Sequence, residues 1–168
     1  MDVIRAILDG IAIAAIFNGA VAAWVLINPR YFFDSYPKAI QKAAPEQMTK
    51  KEKNINTILT IIICGICFVY SVVSLLHTDI SGFWNLFWMG YIQWSILNLG
   101  DFFLLDCLLF QGKYKDKIVI PGTEGHHDYE FGNWMKHLAI MEHFVVTPFL
   151  IIPFAAAMQA LMVGLLER

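Results

Sequence analysis

Residues 54–77 read NINTILTIIICGICFVYSVVSLLH, a run without one Asp, Glu, Lys or Arg. A helix needs about 20 apolar residues to cross the hydrocarbon core of a bilayer, and this run is long enough. Coiled as a helix it also satisfies its own backbone hydrogen bonds, as hydrocarbon requires. Thr49-Lys50-Lys51-Glu52 stands just before it with the spacing of a capping box, and Ser81-Gly82 just beyond it reads as a tight turn.

Three further stretches have the same character: residues 3–28, 83–110 and 137–166. Asn28-Pro29 closes the first, because proline has no N–H to continue the ladder. Pro148 and Pro153 fall inside the last, so a kink is expected, with a neighbouring helix serving the backbone groups they free. Residues 1–28 have a poor basic leader and no convincing small-residue cleavage site, so they read as a retained helix rather than a signal peptide. The expected fold is an all-α integral membrane protein. It is one domain over 1–168, with four transmembrane helices in an antiparallel bundle and a short interfacial helix near residues 35–44, between Pro37 and Pro45.

Composition agrees. Of 168 residues 58% are apolar and 15% charged, against about 25% charged in soluble domains, too few to clothe that much apolar surface in water. The net charge of −2 provides no basic field for nucleic acid, so no nucleic-acid partner is expected. Cys64, Cys67 and Cys107 all lie in apolar runs and suggest no disulfide framework. Cys64-Gly-Ile-Cys67 has redox-pair spacing but no nearby cation to activate a thiol, so it reads as packing.

All lysines and arginines except Arg5 and Arg168 fall between residues 29 and 53 or between 111 and 136. The positive-inside rule therefore places loops 29–53 and 111–136 in the cytoplasm and both termini outside, in a multi-pass protein of the cell membrane. Trp84 and Trp88 suit the outer interface; Trp24, Tyr31, Tyr36, Tyr114 and Trp134 suit the inner one.

The third span is the most polar. On an ideal helix Ser95, Asn98, Asp101 and Asp106 fall within ~140° of one another, at ~100° per residue. Asp101 lies ~18 Å along the helix from Lys113 at ~1.5 Å per residue, well inside the inner leaflet. Acids in that setting cost about 2.5–3.5 kcal/mol and face the bundle interior, a partner or water. The fourth span enters from the same side with His137, Glu142 and His143, and the loop between carries Glu124, His126, His127 and Asp128. Asn54 and Asn56 stand at the same level. Elsewhere, Arg5 and Asp9 have ion-pair spacing, and Asn18 is expected to bond between helices.

These positions give the candidate site. Asp101, Glu142 and His143 are the acid/base or metal-ligand candidates; Asn98, Asp106 and His137 are the candidates for binding substrate. His126, His127 and Glu124 are the candidate ligands of a divalent metal, the one cofactor suggested, since imidazole and carboxylate suit zinc, iron or manganese. Three functions follow. The first is an enzyme acting on a lipidic or membrane-soluble small molecule. The second is an oligomeric transporter or channel subunit that uses Asp101 for a proton or cation. The third is a non-catalytic membrane partner. The expected partners are the lipid bilayer, such a ligand and further copies of the chain.

Overall fold

The computed structural model describes residues 2–112 and 114–167, and these contain helices and connecting turns without a strand. Four helices are long and apolar enough to span a membrane: α1 (Val3–Ile27), α3 (Lys50–Leu76), α4 (Phe83–Leu109) and α5 (Phe131–Leu166). The short α2 (Lys38–Ala43) follows Pro37, as expected, and buries Ile40.

Local chemistry sets the helix ends. The Asp2 side chain accepts from the Arg5 N–H at 3.0 Å and starts α1; Asn28 and Pro29 stop it. The capping box before α3 is complete: Glu52 N–H donates to Thr49 Oγ1 at 3.2 Å, and Thr49 N–H to Glu52 Oε2 at 2.8 Å. The helix consequently starts at Lys50, upstream of the uncharged run. Arg30 grips the same Glu52 with Nε at 2.5 Å and Nη2 at 3.1 Å, and donates to the Glu46 and Gln47 carbonyls, fastening the loop to the head of α3. The helix α5 likewise begins before the apolar run at 137, because Trp134 and Met135 in its first turns are buried.

Three stretches of the long helices depart from α winding, a short one at Met135–Ala139 and two longer ones. Asp101–Leu109 in α4 and Glu142–Ile151 in α5 are π-helical. Such wide turns are rare and concentrate at functional sites. They also change which residues share a face. Asp101 and Asp106, ~140° apart on an ideal α-helix, are one i→i+5 turn apart here and border the same cavity.

Helix α4 packs on both α1 and α5. A Cβ at Gly10 would sit 3.1 Å from the Gln93 carbonyl oxygen, and one at Gly90 would sit 2.8 Å from Gln159 Oε1, so both approaches need glycine. Gly10 against Gln93, then Asn18 against Gly100, make α1 and α4 run in the same direction. Helix α5 runs the other way along α4, from His143 beside Asn98 to Gln159 beside Trp94. The closest partners are therefore not the sequence neighbours α3 and α4.

Between the N-terminal halves of α1 and α4 and the C-terminal halves of α3 and α5 lies a polar network. Arg5 Nε donates to Asp9 Oδ2 at 3.0 Å, the pair anticipated from spacing, and the Ser74 hydroxyl donates to the same carboxylate. Gln93 Oε1 accepts from Ser71 at 2.6 Å and from Gln159 Nε2 at 2.8 Å, while Trp94 donates to Gln159 Oε1 at 2.9 Å. Asn18 is a correction: it is buried against Gly100, and neither polar atom of its side chain has a partner among the described residues. Glycine at 100 offers no side chain to bond.

Large apolar side chains cover the outside, among them Ile58, Ile61, Ile62, Leu104, Leu108, Phe149, Leu150 and Phe154. A belt of this extent is a liability in water and the normal exterior of a protein in lipid.

Candidate functional site

His143 is the centre of the candidate site, and it is buried. Its Nε2 meets Asp106 Oδ2 at 2.8 Å. Its Nδ1 meets Asn98 Oδ1 at 2.8 Å, and Asn98 Nδ2 donates to the His143 carbonyl at 2.9 Å. The second bond has a cause in the sequence. In a π turn the His143 carbonyl faces residue 148, and Pro148 has no N–H to offer. The Asn98 amide supplies it. With Nδ2 committed as donor, Oδ1 faces the ring and Nδ1 must carry a hydrogen.

Asp106 is equally fixed. Its Oδ1 accepts from Trp134 Nε1 at 2.7 Å, so Oδ2 is left for His143. A hydrogen bond between Nε2 and Oδ2 requires one proton, borne either by an imidazolium or by a carboxylic acid. The pair is therefore a proton-holding element, clamped by Asn98 on one side and Trp134 on the other. Trp134, expected at the membrane interface, is buried in an aromatic cluster with Tyr36, Phe110 and Tyr129. Nothing in the sequence distinguished it from an interfacial anchor.

Two cavities meet at this element. One, about 310 Å³, is bordered by Asn56, Asp101, Asp106, Trp134, Glu142 and His143. The second, about 590 Å³, is lined mainly by apolar groups including Phe68, Trp94, Leu97, Phe154 and Met158. Asp101, Glu142, His143, Phe17 and Cys64 belong to both walls. The Asp101 side chain makes no hydrogen bond among the described residues, and Glu142 is exposed along the cavity wall. These two carboxyl groups are open to a ligand, whereas both nitrogens of His143 are engaged.

The other expected site residues divide. Asn98 and Asp106 hold His143. His137 is not in either cavity wall: its Nδ1 pairs with Asp128 Oδ1 at 2.9 Å, because the early start of α5 turns it toward the loop. Asn54 is exposed and stands apart. Glu124 does not join the histidines. It accepts from the Gly122 N–H at 3.0 Å, a bond that also holds its carboxyl below the usual range. Its place is taken by Asp128, so that one ligand atom from each of His126, His127 and Asp128 lies within 4.8 Å of the others.

The loop is anchored by tyrosines. The Tyr36 hydroxyl donates to the Ile118 carbonyl at 2.8 Å, and the Ile120 N–H donates to the Tyr129 hydroxyl at 2.9 Å. Burial pushes Tyr36 well above its ordinary pKa of 10.0 and raises Tyr129 too. Cys64 and Cys67 are both free thiols; Cys67 is buried in the core, whereas Cys64 is exposed and lines both cavities.

Comparison of the chain with protein-family models, curated proteins and solved structures gave no match. The functional reading rests on geometry.

Proposed function

We propose that this chain is a small integral membrane enzyme that performs acid/base chemistry on a lipidic or membrane-soluble small molecule at the cytoplasmic leaflet. In this reading the four long helices cross the membrane with alternating direction, loops 29–53 and 111–136 are cytoplasmic and α2 lies at the interface. The observation that carries the proposal is the shared wall. A cavity whose mainly apolar wall carries several polar groups and a second, more apolar one meet at Asp101, Glu142 and His143, which suits a molecule with a polar head and a hydrocarbon body.

Roles follow from which groups are free. Asp101 and Glu142 are the acid/base groups that meet the polar head. His143 and Asp106 retain a proton beside them and set the local charge. Asn98 fixes the imidazole. Such a proton transfer by a positioned group contributes about 10²–10⁴-fold to a rate.

The test is ligand retention and turnover in gently purified protein. Wild-type chain is expected to carry a lipidic molecule visible by native mass spectrometry. Asp101→Asn and Glu142→Gln should keep the fold and the apolar contacts but lose conversion. Retained conversion in both variants rejects the site.

A second reading, proton or cation transfer through Asp101, has one observation in its favour. The Asp9–Gln93–Gln159 network continues polar groups into the outer half of the helices. Yet that network bonds within itself, and of its members only Trp94 lines either cavity, as expected of packing. Flux in proteoliposomes that vanishes on Asp101→Asn selects transport instead.

A further inference from the structure

We infer that the turn before α5 is a site for a divalent transition-metal ion, held by His126, His127 and Asp128 and oriented by His137. The site is separate from the acid/base cavity: none of these four residues lines it.

The donor set is convergent. One ligand atom from each of His126, His127 and Asp128 lies within 4.8 Å of the other two. The His127 Nε2 and Asp128 Oδ1 atoms are 3.2 Å apart. Two ligands on a tetrahedral zinc, with bonds of ~2.0–2.1 Å, stand roughly 3.3 Å apart, so this pair already has the separation an ion would impose. The His126 and His127 rings lie nearly parallel with centroids at 4.5 Å, and the His127 side chain is exposed, so closing on an ion disturbs no core packing.

Asp128 gives the independent indication. Its side chain is only 1% exposed, yet Oδ2 has no hydrogen-bond partner among the described residues. A buried carboxylate oxygen left unpaired is costly, and a cation is what such an atom attracts. Oδ1 meets His137 Nδ1 at 2.9 Å. An imidazole bonded to a ligating carboxylate is the usual outer support of a metal site, where it fixes the ligand's orientation. Adjacent residues rarely converge without a turn that folds them together. Here the 126–129 turn does so: Asp128 N–H donates to His126 Nδ1 at 3.1 Å and Tyr129 N–H to the His126 carbonyl at 3.0 Å.

Two imidazoles and one carboxylate suit zinc and its neighbours rather than calcium or magnesium, which prefer oxygen alone. Three protein ligands leave a coordination position on the exposed side, next to His127. The ion would tie the loop to the first turns of α5 through His137, a few residues from Trp134 and therefore from the Asp106 clamp.

The experiment uses the full chain in detergent, freed of metal by chelation, and titrated with Co²⁺ and then Zn²⁺. One equivalent of Co²⁺ is expected to give visible d–d absorption, displaced by Zn²⁺. His127→Ala and His126→Ala should each abolish stoichiometric binding. His137→Gln should weaken it about 10–100-fold, the usual effect of losing an outer partner. Glu124→Gln should bind as wild type. His127 is exposed, so its variant keeps the fold, checked by an unchanged melting curve without metal. The site is overturned if wild-type chain takes up no stoichiometric ion, or if His126→Ala and His127→Ala bind like wild type. Either result leaves the cavity chemistry untouched, since Asp101 and Glu142 are assayed separately.

Discussion

Asn98 holds His143 at two points, accepting from the ring at Nδ1 and donating to the backbone carbonyl that Pro148 leaves without its π-turn donor. The side chain thus repairs a backbone defect and selects an imidazole tautomer in one contact. Asn98→Ala should lower stability by about 1–3 kcal/mol, the cost of stranding a buried polar group. Pro148→Ala restores an N–H at 148. In that background the Asn98→Ala cost should be smaller, and the double-mutant cycle non-additive. Equilibrium unfolding of the four proteins in mixed micelles measures this; strict additivity contradicts the assignment.

The proton between His143 and Asp106 has a spectroscopic signature. Nitrogen-15 NMR of labelled histidine should show Nδ1 of His143 protonated in wild type. In Asp106→Asn, whose amide can donate to Nε2, His143 should become a neutral Nδ1–H imidazole. An Nε2–H tautomer in that variant would refute the hydrogen-bond assignment.

Tyr36 predicts a pH dependence. Burial raises its folded pKa above the ordinary 10.0. A raised acid stabilises the fold fully below the unfolded value and less as pH climbs from there through the folded value. Stability of the wild-type chain should therefore fall above pH 10.0. Tyr36→Phe removes this component and costs about 0.5–1.5 kcal/mol at neutral pH, the worth of one hydrogen bond to Ile118. Thermal melts from neutral to alkaline pH check both.

Arg30 joins Glu52 through two nitrogens while serving two loop carbonyls. A lysine offers one compact charge and cannot reproduce that fork. Arg30→Lys should therefore loosen the segment before α3 nearly as much as Arg30→Ala. Limited proteolysis should cut residues 44–49 several-fold faster in both. Equal protection in Arg30→Lys and wild type would show that charge alone suffices.

The proposed topology is tested by single cysteines in a chain with Cys64, Cys67 and Cys107 replaced by alanine. A membrane-impermeant thiol reagent should reach Asp79→Cys in intact cells and Lys42→Cys only after permeabilisation. The opposite pattern inverts the orientation and moves the acid/base site to the other leaflet.

Much of this protein was legible in its sequence, because the signals involved are local. Segment 54–77 declares itself by a long apolar run free of Asp, Glu, Lys and Arg, Thr49 and Glu52 mark a helix start by spacing alone, and Pro37 brackets the short α2. Arg5 and Asp9 pair because four residues bring side chains together on any helix. The placement of Asp101, Asp106, Glu142 and His143 at one level also follows from counting residues along helices.

Contact between helices was not legible. Ideal α geometry put Asp101 and Asp106 at the two edges of one ~140° stripe, and the π winding that brings them to one cavity has no local signature. Gln93 and Asp9 looked unrelated until α1 and α4 ran side by side over Gly10. Asn18 looked like a bonding residue but met a glycine. Glu124 and Asp128 are both acids beside histidines, and the turn alone decided which one faces them. Sequence along a helix fixes height and direction, since each residue adds a set rise and rotation. Which face meets which neighbour depends on side chains distant in the chain, so only the packed fold could decide what His143 touches.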